Sequence, residues 1–548
     1  VPHDWQLRAT APDLAARYRA EGLWTDDTLG RVLHAAITDH PELRFRIWST
    51  SRPFESSVAA VYDDARRFAG ALRSRGIGPD DVVAFQLPNW MEAAVAFWGV
   101  SLLGAVLVPV VHFYGPKELG YILRETRARA LVTADCFGHL DYLAGLETLR
   151  GELPDLELVT VVGTDDVPKD AIPFGALLET GTPLEEPACV DPDAPSVIGY
   201  TSGTTSNPKG VIHSHRSLIA ELRQVETMGA QAGRPALIGA PVGHAIGMQG
   251  GLLLPLTRGM DVHLIDVWNP PAVLRAMDDA DLTSGSGSTY FLQSLLDDPG
   301  CTDRHRKLLE RVGLGGSAVP AAVADRAEAL GVSIVRSYGS TEHPSTTGSR
   351  HDDPIDKRGY TDGRPLAGVE LRLVDEDGND VALGQPGEIV SRGPDLFVGY
   401  TDPELTAQAV DIDGWYATGD IGVLDADGFL TITDRKKDII IRGGENISAA
   451  EVEELLIRMP DVAEVAVVAA PDPRLGEHAC AFVRLQATDG TAPTPTLEAM
   501  QRHLDAGGLA RQKWPEELRV VADFPRTPSG KVKKFVLRSQ LRGGEPTG

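Results

Sequence analysis

The chain has 548 residues, too many for one hydrophobic core, so two or more packed units are expected. Asp and Glu outnumber Lys and Arg by 78 to 52, leaving a formal charge of −26, which repels phosphate backbones and anionic lipid and argues against nucleic acid or membrane as the main partner. A hydrophobic share of 42% and a charged share of 24% are ordinary for a soluble globular protein.

The opening, VPHDWQLRAT, carries no initiator Met and no apolar signal-like run. FAGALRSRG (68–76) reads as a helix closed by glycine, and VVAFQL (Val82–Leu87) as a strand. Ala93–Val111 is uncharged for 19 residues, near the length of a membrane span. Gly99, Ser101, Gly104 and Pro109 punctuate it, which favours a buried helix to about Leu103, a turn at Gly104 and a buried strand at Val106–Val108. No membrane span is expected. ALVTA (Ala130–Ala134), VIGYTS (Val197–Ser202) and SIVRSY (Ser333–Tyr338) read as further strands, and AAVADRAEALG (321–331) as a helix. This alternation predicts an α/β fold with mostly parallel sheets.

From about Tyr360 the texture changes. VELRLVDEDGNDVALGQPGEIVSRG (369–393) has short strands separated by Asp-Gly and Pro-Gly turns, predicting a small antiparallel or β-barrel-like subdomain. Beyond the charged TDRKKD (Thr433–Asp438), Ser448 and Glu451 read as a capping box opening the helix AAEVEELLIRM, and AEVAVVAA as the next strand. The expected division is 1–434, a junction at 435–437, and a smaller α+β domain at 438–548. Cys136, Cys189, Cys301 and Cys480 lie far apart with no CxxC pair, fitting neither a zinc site nor a disulfide framework. A reducing, cytoplasmic compartment is expected.

The strongest chemical signal is YTSGTTSNPKG (Tyr200–Gly210), which follows a strand. Hydroxyls on Thr201, Ser202, Thr204 and Thr205, a flexible Gly203, backbone N–H groups and Lys209 suit the wrapping of polyphosphate. It is not a Walker A loop, because Pro208 precedes the lysine and Gly210 follows it. A plain polar turn between two strands is the structural alternative.

Here the chain resembles the adenylate-forming superfamily of acyl-CoA synthetases, peptide-synthetase adenylation domains and beetle luciferases. The family's phosphate loop is matched except at Ser206, where glycine is usual; serine resists positive φ and implies a stiffer loop. Further blocks follow in family order. SYGSTEHP (Ser337–Pro344) resembles the segment whose tyrosine stacks on adenine, whose threonine touches the α-phosphate and whose glutamate holds magnesium, implying Tyr338, Thr341 and Glu342, with Gly339 at the substrate. WYATGD resembles the block whose Asp420 accepts the ribose hydroxyls. DRKKDIIIRGGENIS places Arg435 near the ribose, Lys437 at a hinge, and Gly443 and Gly444 beside the pantetheine arm, although paired glycines also suit a simple turn. PRTPSGKVKK (Pro525–Lys534) resembles the loop whose lysine, Lys531, reaches the active site. The resemblance covers essentially the whole chain. It implies a large N-terminal domain with two α/β subdomains and the small β subdomain, followed by a mobile C-terminal domain.

The implied reaction adenylates a carboxylate with ATP and Mg²⁺, then transfers the acyl group to coenzyme A. A carrier protein is the competing acceptor, suggested by the likeness of RYRAEGLWTDDTLG to aryl-acid activators. A non-catalytic nucleotide switch is disfavoured because it needs neither Lys531 nor an acyl pocket. PVGHAIG (Pro241–Gly247) points to His244 and Gly247 at the substrate, with a structural histidine as the alternative. GLGGSA (Gly313–Ala318) resembles the segment backing the adenine and acyl sites, through Gly316 and Ser317. Gly285, in TSGSGSTYF, offers a small wall. No Asp or Glu occurs between His244 and Gly259, where amino-acid-activating relatives carry an aspartate, so a monocarboxylate with an apolar or cyclic body is expected. Parts of this region resemble ligases for cyclohexanecarboxylate-type acids. His213 and His215 form an HxH pair that reads as satisfied strand-end histidines rather than metal ligands. Nothing in the sequence specifies the oligomeric state.

Overall fold

The computed structural model describes residues 3, 5–201, 208–228, 233–442, 445–486, 495–526 and 531–541. Its largest sheet has eight strands, in the order Gly399–Tyr400, Lys209–Ser214, Pro195–Thr201, Val106–Val110, Val82–Gln86, Ala130–Ala134, Leu158–Val162 and Ala171–Pro173. The last six run parallel, while Lys209–Ser214 is antiparallel to both its neighbours. Successive residues feed opposite faces: Val83 and Phe85 enter one core cluster, Val82 and Ala84 another. Both faces are covered, which is why these strands read as unbroken apolar runs.

The uncharged stretch is core. A helix spans Met91–Leu103, Gly104 closes it in the left-handed region at φ 72°, and a strand follows at Val106–Val110. A side chain at Gly99 would place its Cβ 2.8 Å from the Ala65 carbonyl oxygen, so glycine here sets the closeness of the helix Val58–Ser74. Trp98 is fully buried and its indole N–H donates to the Leu252 carbonyl at 3.1 Å. No described helix is long and apolar enough to cross a membrane.

A second, four-stranded sheet joins Arg44–Trp48 and Phe54–Ser57 to Leu237–Ile238 and Val262–Ile265. A third carries the parallel pair Arg311–Gly315 and Ser333–Tyr338. The antiparallel unit expected after Tyr360 is a four-stranded sheet of Glu370–Val374, Gly387–Arg392, Tyr416–Leu424 and Leu430–Arg435. Beyond it, five strands from Ile440 to Val520 pack with the helices Ala449–Leu456, Leu497–Ala506 and Lys534–Leu541. The whole is therefore a large α/β portion followed by a smaller α+β one.

Two local expectations change. The helix opened by Ser448 ends at Leu456, short of Met459. Its capping box is half made: Ser448 Oγ accepts the Glu451 N–H at 3.1 Å, but the Glu451 carboxylate takes the Lys513 ammonium at 2.6 Å instead of returning to the cap.

Candidate active site

Thr201 ends its strand opposite Lys209 in the antiparallel register, so both bracket the intervening loop. Ser202, Gly203, Thr204 and Thr205 lie outside the described residues. The Lys209 ammonium sits 5.2 Å from the centroid of the Tyr400 ring. Tyr400 in turn donates its hydroxyl to Glu342 Oε1 at 2.8 Å. Glu125 accepts from Tyr200 at 2.9 Å and from Thr401 Oγ1 at 2.7 Å, tying the sheet edge to a helix end. Gly210 is obligatory, because a Cβ there would come within 2.7 Å of the Thr401 side chain. Thr341 is held from behind: its carbonyl accepts from His213 Nε2 at 2.7 Å. His213 Nδ1 meets Ser217 Oγ, and His215 Nδ1 accepts the Leu29 N–H, so the two imidazoles serve different structural partners. Glu342 is a buried carboxylate with one oxygen committed to Tyr400. It fits a magnesium ion of the kind that takes one or two protein carboxylates and completes its shell with water and substrate phosphates.

The second group forms across the antiparallel sheet, where Asp420 and Arg435 are register partners. Tyr338 donates its hydroxyl to Asp420 Oδ2 at 2.7 Å, and Arg435 Nε lies 2.9 Å from Asp420 Oδ1. Burial and then the Asp420 charge push the Tyr338 phenol well above its ordinary range, so it stays a donor. Burial is the largest influence on Arg435 and lowers its pKa, but Asp420, Tyr338, Asp438 and Glu342 together outweigh it, so the pKa is raised and the guanidinium stays charged. Nearby sequence candidates follow suit. Gly316 takes φ 74°, and a Cβ would sit 3.1 Å from Ile246, while Ser317 Oγ is buried without a hydrogen-bond partner among the described residues. Such an orphaned hydroxyl suits a nucleotide or acyl ligand.

Lys531 reaches the same place from the last described segment. It lies within electrostatic reach of Asp420, Arg435 and Lys437, and of His244. Its side chain keeps contact with solvent, yet the protein packed round it lowers its pKa to about 8; Arg435 acts in the same direction, Asp420 in the opposite one, and Lys437 again lowers it. Lys437 is itself lowered, by burial first and then by Arg435. Gly443 and Gly444 lie outside the described residues.

On the acyl side, burial and then Lys531 bring the His244 pKa down to about 4, leaving a neutral imidazole at physiological pH. His244, Thr341, Leu218, Met248, Gln249 and Glu221 line a cavity of about 30 Å³. The glycines divide. Gly285 adopts φ 79° with ordinary clearance, whereas a Cβ at Gly247 would lie 2.1 Å from the Pro241 carbonyl oxygen and one at Gly339 1.8 Å from that of Pro344. Backbone packing alone accounts for glycine at the last two positions.

Glu125, Tyr400, Thr401, Glu221 and Gln249 were not singled out from the sequence. Glu125 and Thr401 are 276 residues apart, and no local pattern links them. Glu221 also amends the reading of the pocket. The segment after His244 supplies no carboxylate, but the helix His215–Thr227 does.

A lysine-ended hairpin beside a buried carboxylate, facing a Tyr–Asp–Arg group and a lysine from the chain's last segment, defines a nucleotide-dependent ligase that activates an acid. Residues 34–401 match the AMP-binding enzyme family, and residues 451–531 its C-terminal domain. The medium-chain fatty-acid–CoA ligase of Escherichia coli (strain K12) is 33% identical over 531 residues, 96% of this chain and 92% of that protein. The 3-[(3aS,4S,7aS)-7a-methyl-1,5-dioxo-octahydro-1H-inden-4-yl]propanoyl:CoA ligase of Rhodococcus jostii (strain RHA1) is 36% identical over 494 residues, covering 88% and 93%. The crystal structure of the anthranilate CoA ligase AuaEII in complex with anthranoyl-AMP superposes with a TM-score of 0.84 at 27% identity, covering 95% of this chain and 99% of that one. The chain belongs to the AMP-binding enzyme family, and its chemistry is that of an acyl-adenylate-forming ligase using ATP.

Proposed function

We propose that the protein is an AMP-forming acyl-CoA synthetase acting on a monocarboxylic acid with a largely apolar or cyclic body. The observation that carries this reading is that Lys531 lies within electrostatic reach of Asp420 and Arg435, themselves paired at 2.9 Å, and of His244 in the lining of the acyl cavity. A carboxylate is a poor electrophile because it would have to expel oxide. Its oxygen attacks the α-phosphorus of ATP, the bond to pyrophosphate breaks, and the acyl group acquires AMP as a leaving group. Both reactants are anionic, so the site must present positive charge where negative charge builds up. Lys209 answers the polyphosphate and Lys531 the α-phosphate. Glu342 would hold Mg²⁺, which supplies further neutralisation when bound. Tyr338 offers the adenine a buried aromatic face, its ring fixed by the hydroxyl bond to Asp420. Asp420, paired with Arg435, retains acceptor capacity for ribose hydroxyls. The neutral His244 borders the carboxylate without adding charge.

In the second half-reaction the CoA thiolate attacks the acyl carbon, AMP leaves, and a thioester forms. Lys531 has no part in that step, so the smaller portion turns about residues 435–437 and carries it away. The test is a panel of carboxylic acids, following pyrophosphate, AMP and acyl-CoA with and without CoA. Acid-dependent pyrophosphate release with stoichiometric acyl-CoA and AMP supports the reading. An adenylate that persists in CoA and discharges only onto a carrier protein overturns it.

A further inference from the structure

We propose that Arg336 and Asp362 are positioning residues for the nucleotide: their buried ion pair sets the spacing of Tyr338 and Asp420 at which the ribose is held. The inference rests on the reading above that Asp420 accepts the ribose hydroxyls, and adds two residues that act through it. Arg336 and Tyr338 are two apart on the strand Ser333–Tyr338, so their side chains leave the same face. Each then meets a carboxylate tied to the strand Leu430–Arg435 of a different sheet. Tyr338 donates to Asp420, the register partner of Arg435. Arg336 donates to Asp362 Oδ1 through Nε at 3.1 Å and Nη2 at 2.7 Å. The other oxygen, Asp362 Oδ2, accepts the Ile432 N–H at 2.8 Å, three residues before Arg435. The two sheets are thus joined by two rungs, and the nucleotide group is only the upper one.

The main chain repeats the tie at Asp362. Its N–H donates to the Leu430 carbonyl at 2.7 Å, and the Leu430 N–H donates to the Gly363 carbonyl at 2.8 Å. Leu430 and Tyr338 belong to one buried apolar cluster, so a shift at Asp362 reaches the tyrosine ring through packing as well. On the other side, Thr347 Oγ1 donates to the Asp362 carbonyl at 2.6 Å, and Thr347 is the register partner of Tyr338. Arg336 is 8% exposed and Asp362 6%. An ion pair so buried regains little beyond its desolvation cost, and an apolar pair of similar volume often stabilises a fold at least as well. What apolar packing lacks is direction. A planar guanidinium with two N–H groups on one oxygen narrows the relative placement of the two strands. Both Asp362 oxygens are taken up by these bonds, so the pair acts through Tyr338 and Asp420 and not by contact with the ligand.

The experiment measures binding of AMP and of 2′,3′-dideoxy-AMP by calorimetry, with melting curves beside it. The proteins are wild type, Arg336→Gln, Arg336→Lys and the double variant Arg336→Gln/Asp362→Asn, which leaves no lone buried charge. Wild type should prefer AMP, because only its ribose carries the hydroxyls that Asp420 accepts. Arg336→Gln and the double variant should weaken AMP by about tenfold or more, the scale of a lost charge-assisted hydrogen bond, while dideoxy-AMP changes little. Arg336→Lys keeps the cation and should recover part of the loss. Where Arg336→Gln does not fold, the double variant is read by the same criteria. A purely structural pair would lower the melting temperature and leave the ratio of the two affinities intact in the folded protein. That outcome overturns the proposal, and so does equal weakening of both nucleotides. If wild type itself binds the two alike, the assignment of the ribose to Asp420 fails first and the proposal falls with it.

Discussion

At Lys531 the lowering effects win: packing and like charge bring its pKa down to about 8, and Asp420 opposes them only in part. The cation is dominant below that value and lost above it. The kcat/KM for pyrophosphate release should therefore fall as pH rises through about 8, since that parameter reports groups of the free enzyme. Lys531→Arg should move the limb to more alkaline pH, because arginine stays protonated. A limb unmoved in that variant would assign the titration to another group, such as Glu221, whose pKa is also about 8. Glu342 offers a second residue-scale test. Its carboxylate is buried against Tyr400, within a cluster that ends at Lys209. Glu342→Ala should cost about a hundredfold in kcat, the scale for losing one preorganised electrostatic group. The decrease should persist at saturating Mg²⁺, and near-wild-type turnover would remove Glu342 from the metal role. Of these side chains, the ones inside recurrent motifs were legible in the sequence, because Tyr338, Thr341, Glu342, Asp420 and Lys531 stand at spacings the family shares. Glu221 and Glu125 were not. Each sits on an ordinary amphipathic helix, where a glutamate is usually a solvated residue, and only the tertiary fold turns it inward.

At the scale of elements, the fold hangs the site on strand ends. Thr201 and Tyr338 close parallel strands of two different sheets, and Asp420 and Arg435 pair across a third. These strands were readable because apolar runs and turn residues mark them directly, and the helix–glycine–strand unit at 91–110 was readable for the same reason. The short edge strand Gly399–Tyr400 was not, since two residues carry no period. Its anchoring is tertiary. Arg8 donates to the Phe397 carbonyl at 2.6 Å and the Leu396 carbonyl at 3.0 Å, and the Phe397 N–H donates to the Glu342 carbonyl at 2.8 Å. Arg8 thus braces the strand that carries Tyr400. Arg8→Ala should lower stability by about 1–3 kcal/mol, the range for charge-assisted hydrogen bonds whose acceptors are left buried. It should also shift the Mg²⁺ requirement to higher concentration, because Glu342 loses its support. Denaturant unfolding and a Mg²⁺ titration of turnover check the two effects separately. A stability loss with an unchanged Mg²⁺ dependence would confine Arg8 to the fold.

At the scale of the whole molecule, the question is how one chain serves two half-reactions, and the junction makes it testable. Arg435 ends the strand Leu430–Arg435, its carbonyl accepts the Asp438 N–H at 2.8 Å, and the next strand, Ile440–Arg442, belongs to a different sheet. Neither Lys436 nor Lys437 has positive φ, so this closed turn is of type I, with Lys437 at its third position. Proline is disfavoured there, because it drives the preceding residue out of the right-handed helical region that the turn requires. Lys437→Pro should therefore open the arrangement that brings Lys531 to Asp420. Pyrophosphate release should fall steeply, while conversion of a supplied acyl-adenylate to acyl-CoA is spared. Lys437→Ala separates loss of the ammonium from loss of the turn and should be much milder. Lys531→Ala should reproduce the selective adenylation defect without touching the junction, since that lysine acts in the first half-reaction alone. Rapid-quench assays of each half-reaction, with melting curves beside them, distinguish the accounts. If Lys437→Pro damages both halves equally and lowers the melting temperature, the junction is structural. If it leaves adenylation intact, the turn does not set the position of Lys531, and the pivot lies elsewhere.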